Sequence, residues 1–532
     1  MPNSAFDFRR IPLALTFVLL FAMVFLLHIS LLRLPYFWDE AGYYVPAARD
    51  LLYSGSLIPH STPSNAHPPL VMAWLALCWK IAGFSTVVTR TAMLAIAAFS
   101  LTGIFRLARR VANLEVAIAS TICTMLYPVF FAQSSLAHVD LAAAGLTFWG
   151  LSEYVERRLG LAAIWLSLAV LAKETAILAP LALFGWELVS SIFGFWVAQR
   201  FSSALQSPSR TSVPKVWKSA TLLIPIIPLS LWYAYHYSRT GFVFGNPEFF
   251  RYNVQATVEP LRIFLALLMR LWQVFGYFGL SLLTLATLLA MLLPPRRNAG
   301  EERPRIAFNV QFAFLAVIAT YILAMAIVGG AELARYMLSA VPLVIIIGAS
   351  TLRRRARLWR EVVAVVAFAF VIGLFVNPPY GFSIEDNLAY RDYIVLHQHA
   401  EQFLQTRYPR AQVLTAWPAS EELTQPFLGY LPRPMRVVRV EDFSADQLMS
   451  GVQLRSDFDV ALVFSLKYEP PHPILERWHT WLEWKTRYFG YHRDLPPAAA
   501  AQVLGGHLVY TDNRNGQWIG IIEMDRIQEA RK

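Results

Sequence analysis

Cysteine is almost missing: 532 residues hold two, Cys78 and Cys123. Both sit inside apolar runs, so a thiolate metal motif is excluded, a disulfide framework is not indicated, and both read as small core residues. Charge is scarce as well. Only 15% of the chain is Asp, Glu, Lys or Arg and 56% is apolar, whereas a soluble domain carries about 25% charge. This is a membrane composition. No glycine-rich phosphate-cradling loop occurs, which removes the usual nucleotide-binding motif. The formal charge of +11 does not mark a nucleic-acid binder, because of where it lies. Met1–Pro378 holds 30 Lys+Arg against 16 Asp+Glu, and Pro379–Lys532 holds 16 against 19. The excess belongs to the apolar part, where topology signals are its ordinary cause.

What is present is a series of apolar segments. Ile11–Leu32 follows Arg9-Arg10 and lacks a small-residue cleavage site, so it reads as a retained first helix. Further candidates are Thr89–Leu107, Val116–Phe131, Leu141–Val155, Leu161–Leu171, Thr175–Ile192, Ala220–Tyr237, Leu271–Leu293, Ile306–Val328, Tyr336–Ser350 and Val362–Val376. Pro68–Phe84 is nearly long enough to span. Laid along the outer surface instead, it leaves 20 Lys+Arg in connections on one side and 10 on the other. If it spans, the positive-inside rule fails repeatedly. The expectation is about eleven crossings with the N-terminus cytoplasmic. Arg270, costly at mid-bilayer, should split Leu261–Leu293 into an interfacial piece and a span. Beyond Pro379 no run is long enough to cross. Gln412–Trp417, Arg436–Val440, Asp459–Phe464, His507–Tyr510 and Trp518–Glu523 read as strands and Leu388–Thr406 as a helix. The predicted fold is therefore mainly α: a polytopic helix bundle over 1–378, then a non-cytoplasmic α/β domain over 379–532.

On that topology, charged residues at helix ends converge on the outer face: Asp39, Glu40 and His67, then His138 and Asp140, Lys173 and Glu174, and Glu332, Arg335 and Tyr336. Each has a structural reading too. Asp39 and Asp140 are placed to cap helices, Lys173 and Arg335 to anchor helix ends at the interface, and His67 to shape the corner before Pro68-Pro69. Tyr43, Tyr44, Tyr336 and the aromatics of Phe242–Tyr252 fit an interfacial belt or a sugar-stacking surface.

The stretches WDEAGYYVPAARDLLYSG…HPPL, VTRTAMLAIAAFSLTGIFRLARR, SSLAHVDLAAAGLTFWGLSEYVERR, LAKETAILAP and ARYMLSAVP, in this order, resemble the multispanning C-type glycosyltransferases that use polyprenyl-phosphate sugars. These include the protein O-mannosyltransferases and aminoarabinose transferases. The resemblance is densest from Trp38 to Pro180 and leaves the tail undefined. It implies that Asp39 is the catalytic base or acceptor anchor, with Glu40 and Asp140 as companions. It places Arg335 and Tyr336 near the lipid phosphate; beside it, Lys173 or protonated His67 are candidates to add positive charge there, and Tyr43 and His138 are candidate substrate contacts. The pattern departs at two positions: His67 stands where lysine is common, and Glu174 where glycine follows the lysine.

The chemistry fits those residue types. A phosphate leaving group departs as an anion and needs fixed cations, while the acceptor hydroxyl needs a base opposite it, so single displacement inverts the anomeric carbon. The expected partners are a polyprenyl-phosphate sugar, membrane lipid and a protein, glycolipid or polysaccharide acceptor. No cofactor, metal or nucleic acid is expected. The expected location is the bacterial inner membrane. A transporter or flippase is the alternative, disfavoured by a nearly charge-free midplane and unrelated halves. A non-catalytic anchor has no need for acids and cations recurring on one face.

Overall fold

The computed structural model describes residues 12–201, 218–245, 257, 259–298, 300–328, 330–470 and 478–525, without the side chains of 193–201. Arg9, Arg10, Arg210, Lys215, the loop over 202–214 and positions 246–252 of the aromatic stretch lie outside the described residues.

Among the described residues, the first part of the bundle holds α1 (Leu13–His28), α2 (Val45–Ser54), α3 (Leu70–Ala82), α4 (Thr86–Val111), α5 (Leu114–Leu126), α6 (Pro128–Ser135), α7 (Asp140–Val155), α8 (Leu159–Ala172) and α9 (Leu178–Phe201). The bundle continues with α10 (Ile226–Thr240), α11 (Pro260–Phe275), α12 (Leu280–Met291), α13 (Phe308–Val328), α14 (Val341–Arg355) and α15 (Trp359–Phe375). A two-stranded hairpin, β1 (Arg297–Asn298) and β2 (Glu301–Glu302), precedes α13.

α4 is the axis, buried along most of its length and packed on α1, α5 and α7. Its small residues, among them Ala97, Ala98 and Gly103, let neighbouring helices approach closely. Leu26 on α1, Leu285 and Leu288 on α12 and Phe368 on α15 are exposed apolar side chains, as lipid-facing surfaces require. α4 also separates two kinds of chemistry. Arg90 near its start pairs with Glu40, whereas Arg106 and Arg110 near its end pair with Glu153 and Glu156. At 1.5 Å per residue, Arg90 and Arg106 lie about 24 Å apart. Basic connections meet elsewhere as well: Arg353 and Arg360 share Glu115, and Arg303 donates to the Arg353 carbonyl.

Among the described residues, five helical stretches are long and apolar enough to cross a membrane: Leu13–Leu31, Thr86–Val111, Glu174–Ile192, Pro260–Met291 and Phe308–Val328. The other expected crossings are shorter helices, and α3, expected at the surface, has 13 residues. The predicted break at Arg270 lies elsewhere. The chain turns at Tyr277–Gly279, where Gly279 takes φ 90° and Phe278 φ 46°. Arg270 stays inside α11 because its charge is met: Nε lies 3.1 Å from Glu332 Oε2 and its amines donate to the Ala331 and Leu333 carbonyls.

The C-terminal region is a mixed sheet with helices α16 (Ala389–Arg407), α17 (Ala419–Thr424), α18 (Ala445–Gln453), α19 (His479–Phe489) and α20 (Pro497–Leu504). Its strands β3 (Gln412–Ala416), β4 (Arg436–Val440), β5 (Val460–Phe464), β6 (Gly506–Arg514) and β7 (Gln517–Met524) lie in the order β4-β3-β5-β7-β6. β3 runs parallel to β4 and β5, and β7 antiparallel to β5 and β6. All five predicted strands form, and β5, fully apolar, is the buried centre. The region docks on the first loop. Tyr36 N–H donates to the Leu428 carbonyl at 3.0 Å, and the Trp38 and Trp417 rings meet edge-on at 5.0 Å. A Cβ on Gly42 would sit 2.7 Å from Trp417 Nε1, so this contact needs glycine.

Candidate active site

The site is assembled around one guanidinium. Arg335 lies in the short turn Ala334–Met337 between α13 and α14 and is 3% exposed. It bonds Asp39 through Nη2 and donates from Nη1 to Glu385 Oε2 at 2.6 Å. Its Nε lies 3.3 Å from Asp140 Oδ2, and His138 Nδ1 is 2.9 Å from Nη1. Carboxylates from three separate segments thus share one cation. Lys173, closing α8, donates to Asp140 Oδ1 at 2.5 Å, and its ammonium sits 4.0 Å above the Tyr336 ring.

A cleft of about 290 Å³ opens beside this cluster, lined by Asp39, Tyr43, His67, Lys173, Arg335 and Tyr336, with Tyr233 and Phe244 on a further wall. Six of the nine residues expected at the site therefore face one space. Glu40, His138 and Asp140 lie behind it. Neither aspartate makes a side-chain capping bond; both turn to the cations instead. Two non-glycine residues with left-handed backbone, Trp38 (φ 50°) and Ala66 (φ 59°), immediately precede Asp39 and His67. Such conformations cost on the order of 1 kcal/mol or more and mark places where packing dictates side-chain direction.

Glu40 does not line the cleft. It is completely buried, ion-paired to Arg90, and accepts from Phe37 N–H at 2.9 Å and Ala137 N–H at 2.5 Å. Arg90 donates in turn to the Pro35 and Ser135 carbonyls. One buried pair thereby stitches the loop of Asp39 to the loop of Asp140. Arg90→Met, which strands the Glu40 carboxylate, is expected to destabilise the protein by about 3–5 kcal/mol. Thermal unfolding in detergent measures this; an unchanged midpoint would show that the pair does not hold the loops.

His67 and Glu174, the two departures from the pattern, meet each other at 2.8 Å. The site also holds a residue that sequence reasoning missed, Glu385. The only signal was an acidic pair, Glu385-Asp386, directly after the last apolar run. Burial pushes the Glu385 carboxyl up to about 8, with Asp39, Asp386 and Asp140 adding to the rise against the pull of Arg335. His138 is held well below its ordinary value, first by burial and then by Arg335, and stays neutral. The Glu385 shift has a definite sign. A carboxyl that binds its proton more tightly when folded contributes stability fully present below about 4.5 and lost as pH rises through about 8. In Glu385→Gln the fall in melting temperature between those pH values is expected to flatten; a profile identical to wild type would place the titration on another group.

Asp39, His138 and Glu385 can each offer one ligand atom within 4.8 Å of the others, and so could gather a metal ion. The Arg335 guanidinium already contacts all three and acts as the cation of that set.

Residues 66–232 match the family model described as dolichyl-phosphate-mannose-protein mannosyltransferase. That stretch includes His67, Arg90, His138, Asp140 and Lys173 but neither Asp39 nor Arg335. Comparison with curated protein sequences finds no match. Among solved structures, ArnT from Cupriavidus metallidurans bound to undecaprenyl phosphate is 14% identical, over 96% of this chain and 97% of that one, with a TM-score of 0.52. The same enzyme in the apo state is 16% identical, over 96% and 98%, with a TM-score of 0.53. At such identities the likeness is one of fold. In fold along nearly its whole length, and in sequence over residues 66–232, this chain resembles the multispanning glycosyltransferases of the C type.

Proposed function

We propose that this protein transfers a sugar from a polyprenyl-phosphate carrier to an acceptor hydroxyl of the cell envelope, at the outer face of the bacterial inner membrane. The observation that carries the proposal is the meeting of Asp39 and Arg335, 296 positions apart in sequence, on the wall of one cleft. The family match over residues 66–232 and the fold shared with a protein bound to undecaprenyl phosphate support it.

In this reading the donor phosphate binds Arg335 and Lys173, with His67 near. Arriving at Arg335, it competes with Asp39 for the guanidinium and releases that carboxylate to face the acceptor. Asp39 then takes the acceptor's proton while its oxygen attacks the anomeric carbon. The bond from that carbon to the phosphate oxygen breaks, and polyprenyl phosphate leaves with the electron pair. The sugar inverts. With Glu385 protonated, Arg335 and Lys173 balance Asp39 and Asp140, so an incoming phosphate meets no uncompensated carboxylate at that cluster. Tyr43 and the rings of Tyr233 and Phe244 offer faces for sugar or isoprenoid.

The proposed topology has a cytoplasmic N-terminus, about eleven crossings and a division at residue 378, with the sheet-containing region outside. Its support is the gathering of basic connections away from the cleft and the docking of the C-terminal region on the cleft's first loop. The test is transfer from synthetic polyprenyl-phosphate sugars by the protein in liposomes, paired with mass analysis of envelope glycans in cells with and without it. Unchanged glycans and no transfer from a panel of such donors would refute the assignment.

A further inference from the structure

The C-terminal region holds a second convergence of ligand-type side chains. His397 and Glu401 stand four residues apart on α16, hence on one helix face, and Glu422 meets them from α17. His397 Nδ1 lies 2.6 Å from Glu422 Oε2 and 3.8 Å from Glu401 Oε1. One donor atom from each falls within 4.8 Å of the others. The three residues are 1%, 0% and 0% exposed.

What sets this cluster apart is missing compensation. Among the described residues, no lysine or arginine pairs with either glutamate. Nε2 of His397 and the hydroxyls of Tyr393 and Tyr430 have no protein hydrogen-bond partner, and the Glu401 carboxyl has none beyond the Glu422 carboxyl beside it. Two buried carboxylates so placed are expensive unless a shared proton or a bound cation joins them. Around Arg335 the same problem is solved by a guanidinium.

We propose that His397, Glu401 and Glu422 bind one divalent transition-metal ion of the zinc type, which staples α16 to α17. One imidazole and two carboxylates are a zinc-type donor set, and the ion's two charges match the two carboxylates. Ligand bonds of about 2.0–2.2 Å put tetrahedral ligand atoms roughly 3.3 Å apart, between the two separations seen here. The ring ligates as neutral imidazole, through Nδ1 with its proton on Nε2, and any proton shared by the two carboxyls leaves to the solvent, so uptake is coupled to proton release. The staple sits behind the first loop. The His397 ring stacks on Tyr393 at 3.9 Å, and Tyr393 packs on Phe37 at 5.2 Å and on Trp38 at 5.8 Å.

The experiment uses the full-length protein purified in detergent without chelator, with metal content measured by mass spectrometry. About one ion per chain is expected, falling more than about tenfold in His397→Gln and in Glu401→Gln. Wild-type protein stripped with a chelator should melt lower and regain its midpoint on addition of zinc chloride alone, whereas Glu401→Gln should not respond to zinc. This arm needs no variant to fold well. The proposal is overturned if wild type takes up no zinc and its melting ignores the chelator, which leaves a shared proton or buried water between the carboxyls. It is equally overturned if both variants keep the ion.

Discussion

Asp39→Asn is expected to lower the turnover of sugar transfer about 10²–10⁴-fold, the range a positioned general base supplies. The substitution is nearly isosteric. Its amide oxygen can still accept from Arg335, so insertion, melting temperature and the donor KM should change little. The loss is then confined to the step in which the acceptor proton moves. Turnover at the wild-type level in correctly inserted protein would remove Asp39 from that role and leave Asp140 as the next carboxylate on Arg335.

Arg335→Ala should have the largest effect of any single change at the site, because two losses coincide. The donor phosphate loses its guanidinium, and Asp39, Asp140 and Glu385 lose the cation they share. Removing one partner of a buried ion pair costs about 3–5 kcal/mol, which is a large part of the stability of most domains. The two losses are separable. Pairing Arg335→Ala with Asp140→Asn leaves Asp39 and Lys173 as one balanced pair and should recover much of the melting temperature without recovering donor use. Measured in the double variant, the donor KM should rise well beyond the acceptor KM. Equal rises for both substrates would count against a phosphate contact.

Much of the C-terminal sheet was readable from local pattern. Arg436–Val440 is a strand with the predicted bounds, and Val460–Phe464 is one residue shorter than predicted, since apolar β-branched runs between polar turns allow little else. The outer face was readable for a different reason. Charged residues at the ends of apolar helices are costly without partners, so Asp39, Asp140, Lys173 and Arg335 stood out one by one, and they do meet.

Other features were not legible because they depend on what is distant in sequence. Adjacent carboxylates at Asp39 and Glu40 look equivalent in one dimension. Which of them faces the cleft is decided by the left-handed turn at Trp38 and by Arg90, fifty residues on. Glu385 sits in what reads as a tail, and only docking of the segment before α16 brings it to Arg335. Arg270 was read as a break since its partner, Glu332, belongs to a loop of another helix pair. His67 and Glu174 were each read as a departure from the pattern; together they form one ion pair.

The buried Glu40–Arg90 pair carries a mechanical consequence. It fastens the two acid-bearing loops to a single helix, so Asp39 and Asp140 can travel only as one rigid block. Arg335 and Glu385 arrive on other segments, Arg335 meeting Asp39 and Asp140 through side chains and the Glu385 carbonyl accepting from Gln133. On the proposed function, the contact that must part for a headgroup to reach Arg335 is the Asp39–Arg335 pair, the same bond whose opening would free the base.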